Sequence, residues 1–284
     1  MNTLALPGLH WHPSGYATLS GPLRDLAEAL DQRFLACAGR DLTHYSVPTF
    51  IAVADLEPTA WLRSFPHLAT FAASASRAPG MLDALARAQQ AGRLPAQTAL
   101  EPVEQVLTPA ACHHLYPGLR DRDLAQDAYL TLRAHCHRRE AAYAPLARQW
   151  CFQMRELVCI GSRAAVEAFV ADCCARIDAL VRSLDLEARW LVATDPFFDA
   201  QADPKALAQR LEPVKTELTL ADGLAVASIN RHRSFFGERY RIARAGAPAH
   251  SACVAFGIER WLLAVATARG ADPAAWRIQA RAAA

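Results

Sequence analysis

The sequence has no CxxC pair, no Gly/Ser tract, almost no excess of one charge, and no apolar run near the roughly 18 residues a membrane helix requires. Each absence removes a class of protein. Without CxxC there is neither a zinc ribbon nor a thioredoxin-like motif, so any metal site must be assembled from ligands far apart in the chain. Formal net charge is only +2 over 284 residues. That gives no support for binding nucleic acid by phosphate neutralisation, while leaving a local basic patch open. The N-terminal stretch MNTLALPGLHWHPSGY lacks a basic start followed by an apolar core, so it does not read as a signal peptide. The expected compartment is the cytoplasm, with no membrane partner. With no charge block, linker or repeat, residues 1–284 read as one domain.

What is present begins with a chain about half apolar, enough for one large core or two modest ones. Eight cysteines, at 37, 112, 136, 151, 159, 173, 174 and 253, are expected to stay reduced in a cytosolic chain. Leu23, Leu26, Leu30 and Phe34 recur at helical spacing over 21–38. Residues 41–53 are β-prone and interrupted by Pro48; 57–66, 81–92 and 109–116 read as short helices, and 124–140 as a strand. Residues 146–160 fit two readings. Leu146, Trp150, Met154 and Leu157 suit a helix, whereas on a strand Arg148, Trp150, Phe152, Met154, Glu156 and Val158 share one face. A helix over 162–185 has Ser162 as its N-cap, and a helix over 258–269 stops at Gly270. Strands are expected at 188–194, 213–220, 224–230, 239–243 and 251–256. Helices first, then a mixed half, then a run of strands indicates an α+β fold with an antiparallel sheet.

Two stretches carry chemistry. One is CHRRE at 136–140, followed by Arg148, Phe152 and Glu156; the other is AFGIER at 255–260. Arginines around an aromatic suit a nucleotide, because guanidinium groups fork onto phosphate oxygens and an aromatic face with an arginine plane can sandwich a purine.

This pattern resembles motif 2 of the class II aminoacyl-tRNA synthetases, and FGIER resembles their motif 3. Pro48 sits where motif 1 carries its proline. Within that superfamily the chain is more similar to the amino acid:[carrier protein] ligases, truncated homologues of the zinc-dependent seryl-tRNA synthetases of methanogens. WLRSFPHLATF, LTPAACHHLYPGL, FQMRELVCIG, ASINRHRSFFGERYRI and HSACVAFGIER carry that likeness. The resemblance implies a class II synthetase catalytic fold, an antiparallel sheet flanked by helices, and a homodimer. It implies ATP-dependent activation of glycine, alanine or serine as an aminoacyl-adenylate. Transfer to the phosphopantetheine thiol of an acyl or peptidyl carrier protein would follow. No stretch reads as an added tRNA-binding arm, which disfavours tRNA as the acceptor.

Site roles follow from the same resemblance. Arg138 would bind the α-phosphate and the substrate carboxylate, and Glu140 the adenine end. Arg148 would hold the outer phosphates with Mg2+, and Phe152 and Arg260 would stack on the two faces of adenine. Zinc would be held by Cys112, Glu156 and Cys253, with the substrate amine in the fourth position. Two thiolates and a carboxylate suit zinc, and three protein ligands leave one position open. Asn230 would lie beside the substrate.

Taken alone, each residue has a plainer reading. A lone cysteine is usually a small core residue, and Phe152 a core aromatic. The arginines of CHRRE suit a solvated strand end. His113 and His114 read as neighbours of Cys112, and His232 as a weaker substrate contact than Asn230. Ser234 and His137 depart from the family pattern. A compact tRNA-charging enzyme and a non-catalytic paralogue of the same fold are the alternatives.

Overall fold

The computed structural model describes residues 5–93 and 99–278. The chain opens with a hairpin, β1 (Leu9–His12) and β2 (Tyr16–Leu19), and then α1 (Gly21–Ala36), whose Leu23, Leu26, Leu30 and Phe34 are buried as their spacing predicts. Short elements follow: β3 (Thr43–Tyr45), β4 (Phe50–Ala52), α2 (Val53–Leu56), α3 (Trp61–Ser64), β5 (Phe71–Ala72), α4 (Met81–Gln90), β6 (Gln105–Leu107), α5 (Leu115–Gly118) and β7 (Asp123–Leu124). Two long strands, β8 (Ala128–His137) and β9 (Cys151–Gly161), lead into α6 (Arg163–Ser183). The remainder is β10 (Ala188–Ala193), α7 (Pro204–Leu211), β11 (Lys215–Leu220), β12 (Ala225–Arg233), α8 (Phe235–Tyr240), β13 (Ala243–Arg244), β14 (Ala247–Pro248), β15 (His250–Gly257) and α9 (Ile258–Arg269).

Seven strands form the main sheet in the order β10-β11-β12-β15-β9-β8-β3. Every pairing is antiparallel except β3 with β8 at the edge. The α+β expectation is borne out. Residues 146–160 resolve as a strand from Cys151 onward. Its two-residue period divides the molecule. Leu157 and Cys159 point into a core with α1, α6 and α9, while Met154, Val158 and Ile160 point into a second core on the opposite face. In the first core Phe34 stacks on Phe256, ring centroids 4.4 Å apart. Burying each such side chain stabilises the fold by about 1.5–3 kcal/mol. Ser162 caps α6 by accepting from the Ala165 amide at 3.2 Å. No helix among the described residues is long and apolar enough to cross a membrane.

Two expectations are corrected. The strand expected at 239–243 is instead the end of helix α8, a turn at Arg241 and the first residue of β13. Phe236 and Tyr240, one helical turn apart on α8, pack against the buried Tyr116, and only Ala243–Arg244 pairs as strand. Tyr116 stacks on Phe236 at 3.8 Å, and that contact outweighs the β-propensity of the YRI run. Arg148 does not share a strand face with Phe152 and Glu156. It lies in the loop before β9, where Arg148 and Ala144 exchange backbone hydrogen bonds of 3.0 and 2.8 Å.

Candidate active site

On the sheet face away from α1, α6 and α9, a cavity of about 500 Å³ runs across β9, β15, β12 and β11. Segments near Thr59–Leu68, Pro109–His113 and Asp195–Lys215 wall it in. Its two ends differ in chemistry.

At one end the two thiols of Cys112 and Cys253 meet. Cys112 arrives on the 3-10 turn Ala111–His114, Cys253 on β15, and Glu156 on the neighbouring strand β9. All three side chains are buried, Glu156 to 1% exposure. One carboxylate oxygen of Glu156 accepts the Ala111 amide at 2.9 Å; the other is buried with no hydrogen-bond partner. A hydrogen bond to Cys253, then burial, then the negative charge of Glu156 push the Cys112 thiol well up. For Cys253 the bond from Cys112 pulls down, but burial and Glu156 push up more. An orphaned carboxylate oxygen beside two thiols is costly without a cation and is well matched to one. The donor set fits zinc: bound thiolates lose their protons, and the carboxylate gains the partner it lacks.

His232 joins this end. One ring nitrogen lies within 4.8 Å of both sulfurs, and the thiols lie equally close to each other. Its Nδ1 sits 3.2 Å from the Tyr116 hydroxyl and 3.1 Å from the Ser251 hydroxyl. Burial lowers its pKa to about 4, so the ring is neutral and able to bind a metal. Asn230, directly across from Cys253 on β12, donates to the Cys253 sulfur at 3.3 Å. His113 lines the cavity too; its Nδ1 is buried without a partner, and burial lowers its pKa to about 3. His114 instead turns to the Thr108 hydroxyl at 2.8 Å.

The other end is cationic and aromatic. Arg138 donates to the Pro109 carbonyl at 3.0 Å, and its guanidinium carbon lies 5.4 Å from the Phe152 ring centroid. Arg260 is fixed by two carbonyls, those of Ala147 and Ala225, each at 2.8 Å. Glu140 lines the cavity and pairs with Arg148, which is exposed at the rim and is not part of the lining. The structure therefore brings Arg138, Glu140, Phe152, Arg260, Asn230, Cys112, Glu156 and Cys253 to one cavity and leaves Arg148 at its edge. Neither Ser234 nor His137 is part of the lining.

Sequence reasoning missed some lining residues. Glu259 takes the Gln153 amide on both oxygens, at 3.0 and 2.9 Å, and burial lifts its pKa to about 7. It lies inside the GIER stretch, where the motif marks only the arginine. Asp195, held by Lys215 and Gln209 at 2.8 Å each, had no local signal.

No family model matches the chain. Two curated relatives do. Amino acid--[acyl-carrier-protein] ligase 1 of Bradyrhizobium diazoefficiens is 35% identical over 242 residues, spanning 82% of this chain and 74% of that protein. Ligase 2 of the same organism is 36% identical over 242 residues, spanning 82% and 72%. Among solved structures, M. kandleri SerRS in complex with A. aeolicus tRNASec superposes with a TM-score of 0.81 at 21% identity, over 94% of this chain and 56% of that one. Giardia lamblia prolyl-tRNA synthetase with prolyl-adenylate gives 0.68 at 12% identity, over 93% and 50%. This chain thus spans about half the length of each synthetase, and these likenesses show the class II synthetase catalytic fold.

Proposed function

The chain belongs to the amino acid--[acyl-carrier-protein] ligases, and from that premise we propose that its cavity joins a small amino acid to ATP and hands the product to a carrier-protein thiol. In the first half-reaction a carboxylate oxygen of the amino acid attacks the α-phosphorus. The bond to pyrophosphate breaks, leaving aminoacyl-adenylate. In the second, the phosphopantetheine sulfur attacks the carbonyl, AMP leaves, and a thioester remains. The nucleophile arrives with the partner, so no side chain need be acylated.

The observation that carries the reading is one cavity with a thiol–carboxylate cluster at one end and arginines around an aromatic at the other. Arg138 reaches the α-phosphate and the substrate carboxylate, offsetting charge that builds during attack. Phe152 and Arg260 hold the two faces of adenine, with Arg260 already immobilised by its two carbonyls. Glu140 meets the base, Arg148 swings in from the rim to the outer phosphates, and Mg2+ accompanies ATP. Cys112, Glu156 and Cys253 would hold zinc. When bound, zinc would supply an open Lewis-acid position for the free amine of the substrate, a positioning role. Asn230 orients the Cys253 sulfur and borders the substrate.

Glycine, alanine or serine is the substrate class. The difference of one methyl group is worth only about 1–3 kcal/mol, so a few lining residues decide among them. The described chain works as one catalytic unit in the cytoplasm, and eight free cysteines agree with a reducing compartment. A second copy pairs near Pro48, where Tyr45 and Phe50 are exposed beside the edge strand β3. Parallel charging assays with a phosphopantetheinylated carrier protein and with tRNA test the acceptor. Label in the carrier protein alone is expected; label in tRNA alone would make the chain a compact synthetase.

A further inference from the structure

The loop over 138–150 carries three of the nucleotide-end residues, Arg138, Glu140 and Arg148. Its base is closed by the Arg138 amide donating to the Trp150 carbonyl at 2.9 Å. One side is tied down by the Arg139 amide on the Leu68 carbonyl at 3.0 Å and by the Trp150 indole on Thr70 at 2.9 Å.

On the other side the N-terminal hairpin supports it. The Gly15 carbonyl, at the tip between β1 and β2, accepts from the Trp150 amide at 2.6 Å and the Cys151 amide at 3.3 Å. The Tyr143 ring lies against Gly15 so closely that a Cβ at residue 15 would sit 2.7–2.9 Å from three ring carbons. Gly15 is also in the left-handed region, at φ +96. The Tyr143 hydroxyl takes a long hydrogen bond of 3.4 Å from the Glu140 amide. His12 stacks on Tyr16 at 4.5 Å and stiffens the tip. Hairpin tip, tyrosine ring and Glu140 backbone thus form one stack.

We propose that Gly15 and Tyr143 are positioning residues for ATP: the ring resting on the bare glycine holds loop 138–150 where Glu140 and Arg148 meet the nucleotide. This rests on the adenylate-forming reading above. Ordering the loop before ATP arrives removes that cost from binding. Neither residue lines the cavity.

The test is ATP–pyrophosphate exchange with Gly15→Ala, Tyr143→Ala, Tyr143→Phe and the double variant G15A/Y143A. Gly15→Ala and Tyr143→Ala are each expected to raise KM for ATP about tenfold, because displaced binding groups cost heavily, with kcat and amino acid KM nearly unchanged. Tyr143→Phe keeps the ring on Gly15 and loses only the long bond from the Glu140 amide, so its KM for ATP rises far less than that of Tyr143→Ala. In the Tyr143→Ala background, Gly15→Ala adds nothing to KM, although strain at positive φ still lowers stability. If Gly15→Ala does not fold, the two tyrosine variants carry the test. Multiplying effects in the double variant, or an unchanged KM in Tyr143→Ala, would overturn the inference. Absence of exchange in the wild type would instead sink the adenylate reading, and this inference with it.

Discussion

Arg155 and Glu156 are neighbours on one strand and face opposite sides of the sheet. Arg155 points toward α1, where it meets Asp31 with two parallel hydrogen bonds of 2.8 and 2.6 Å and reaches Thr131 at 3.3 Å. Glu156 points into the cavity with one oxygen satisfied and the other orphaned. Both are buried. The difference teaches how to separate structure from function in a charged core. A buried charge whose hydrogen bonds are all met within the chain is part of the scaffold. One whose second oxygen meets no hydrogen-bond donor but faces two thiols has the chemistry to bind a cation.

The largest effect that could break this contrast comes from the cavity side. Glu156→Gln and Cys253→Ser are expected to lower pyrophosphate exchange by about a hundredfold or more and to empty the protein of zinc, as loss of a metal contact does. Metal content by atomic emission, with urea melts alongside, checks this. Wild-type zinc in both variants would make Glu156 and Cys253 scaffold residues like Arg155.

The scaffold side should respond in the opposite currency. Arg155→Ala leaves Asp31 buried without its main partner and is expected to destabilise by about 3–5 kcal/mol, while the folded fraction keeps its zinc. A urea midpoint equal to wild type would show that Arg155 is not the structural member of the pair.

Glu259 lies between these cases, buried with both oxygens on the Gln153 amide but with no ion-pair partner among the described residues. Its folded pKa, about 7, lies above the usual 4.5. The unfolded chain therefore releases this proton first. Between those values the folded state binds more protons, so stability falls as pH rises through the window and stays lower above it. Relative to Glu259→Gln, wild type should match at about pH 4 and be less stable at about pH 8, by chemical melts at each pH. A constant difference would contradict it.

The smallest stability effect belongs to Arg148→Ala. Its pair with Glu140 is exposed, so the melt should move by less than about 0.5 kcal/mol. KM for ATP should rise all the same. A large stability loss would make Arg148 a scaffold residue.

Much of this contrast was legible in the sequence, and the illegible parts have physical reasons. Period-two alternation along β9 separates Arg155 from Glu156, and α1, α6 and α9 are marked by apolar spacing and end residues. The start of β9 was ambiguous because Leu146, Trp150, Met154 and Leu157 satisfy a helical period as well. What ends the strand's reach toward Arg148 is the hairpin tip holding the Trp150 amide, a contact 135 residues distant in sequence. The helix over Phe235–Tyr240 was hidden because a tertiary partner, Tyr116, decides it. Cys112, Glu156 and Cys253 came from the family resemblance, since no spacing rule links ligands from three separated segments. The family pattern favours Asn230 over His232, yet it is the His232 ring that approaches both sulfurs.

The most direct test of the central claim is ATP–pyrophosphate exchange across all amino acids, before zinc removal, after it, and after zinc is restored. Exchange with one small amino acid, lost on chelation and recovered with zinc, is the predicted result. Exchange that persists in protein shown to be free of zinc would contradict a metal-held amine.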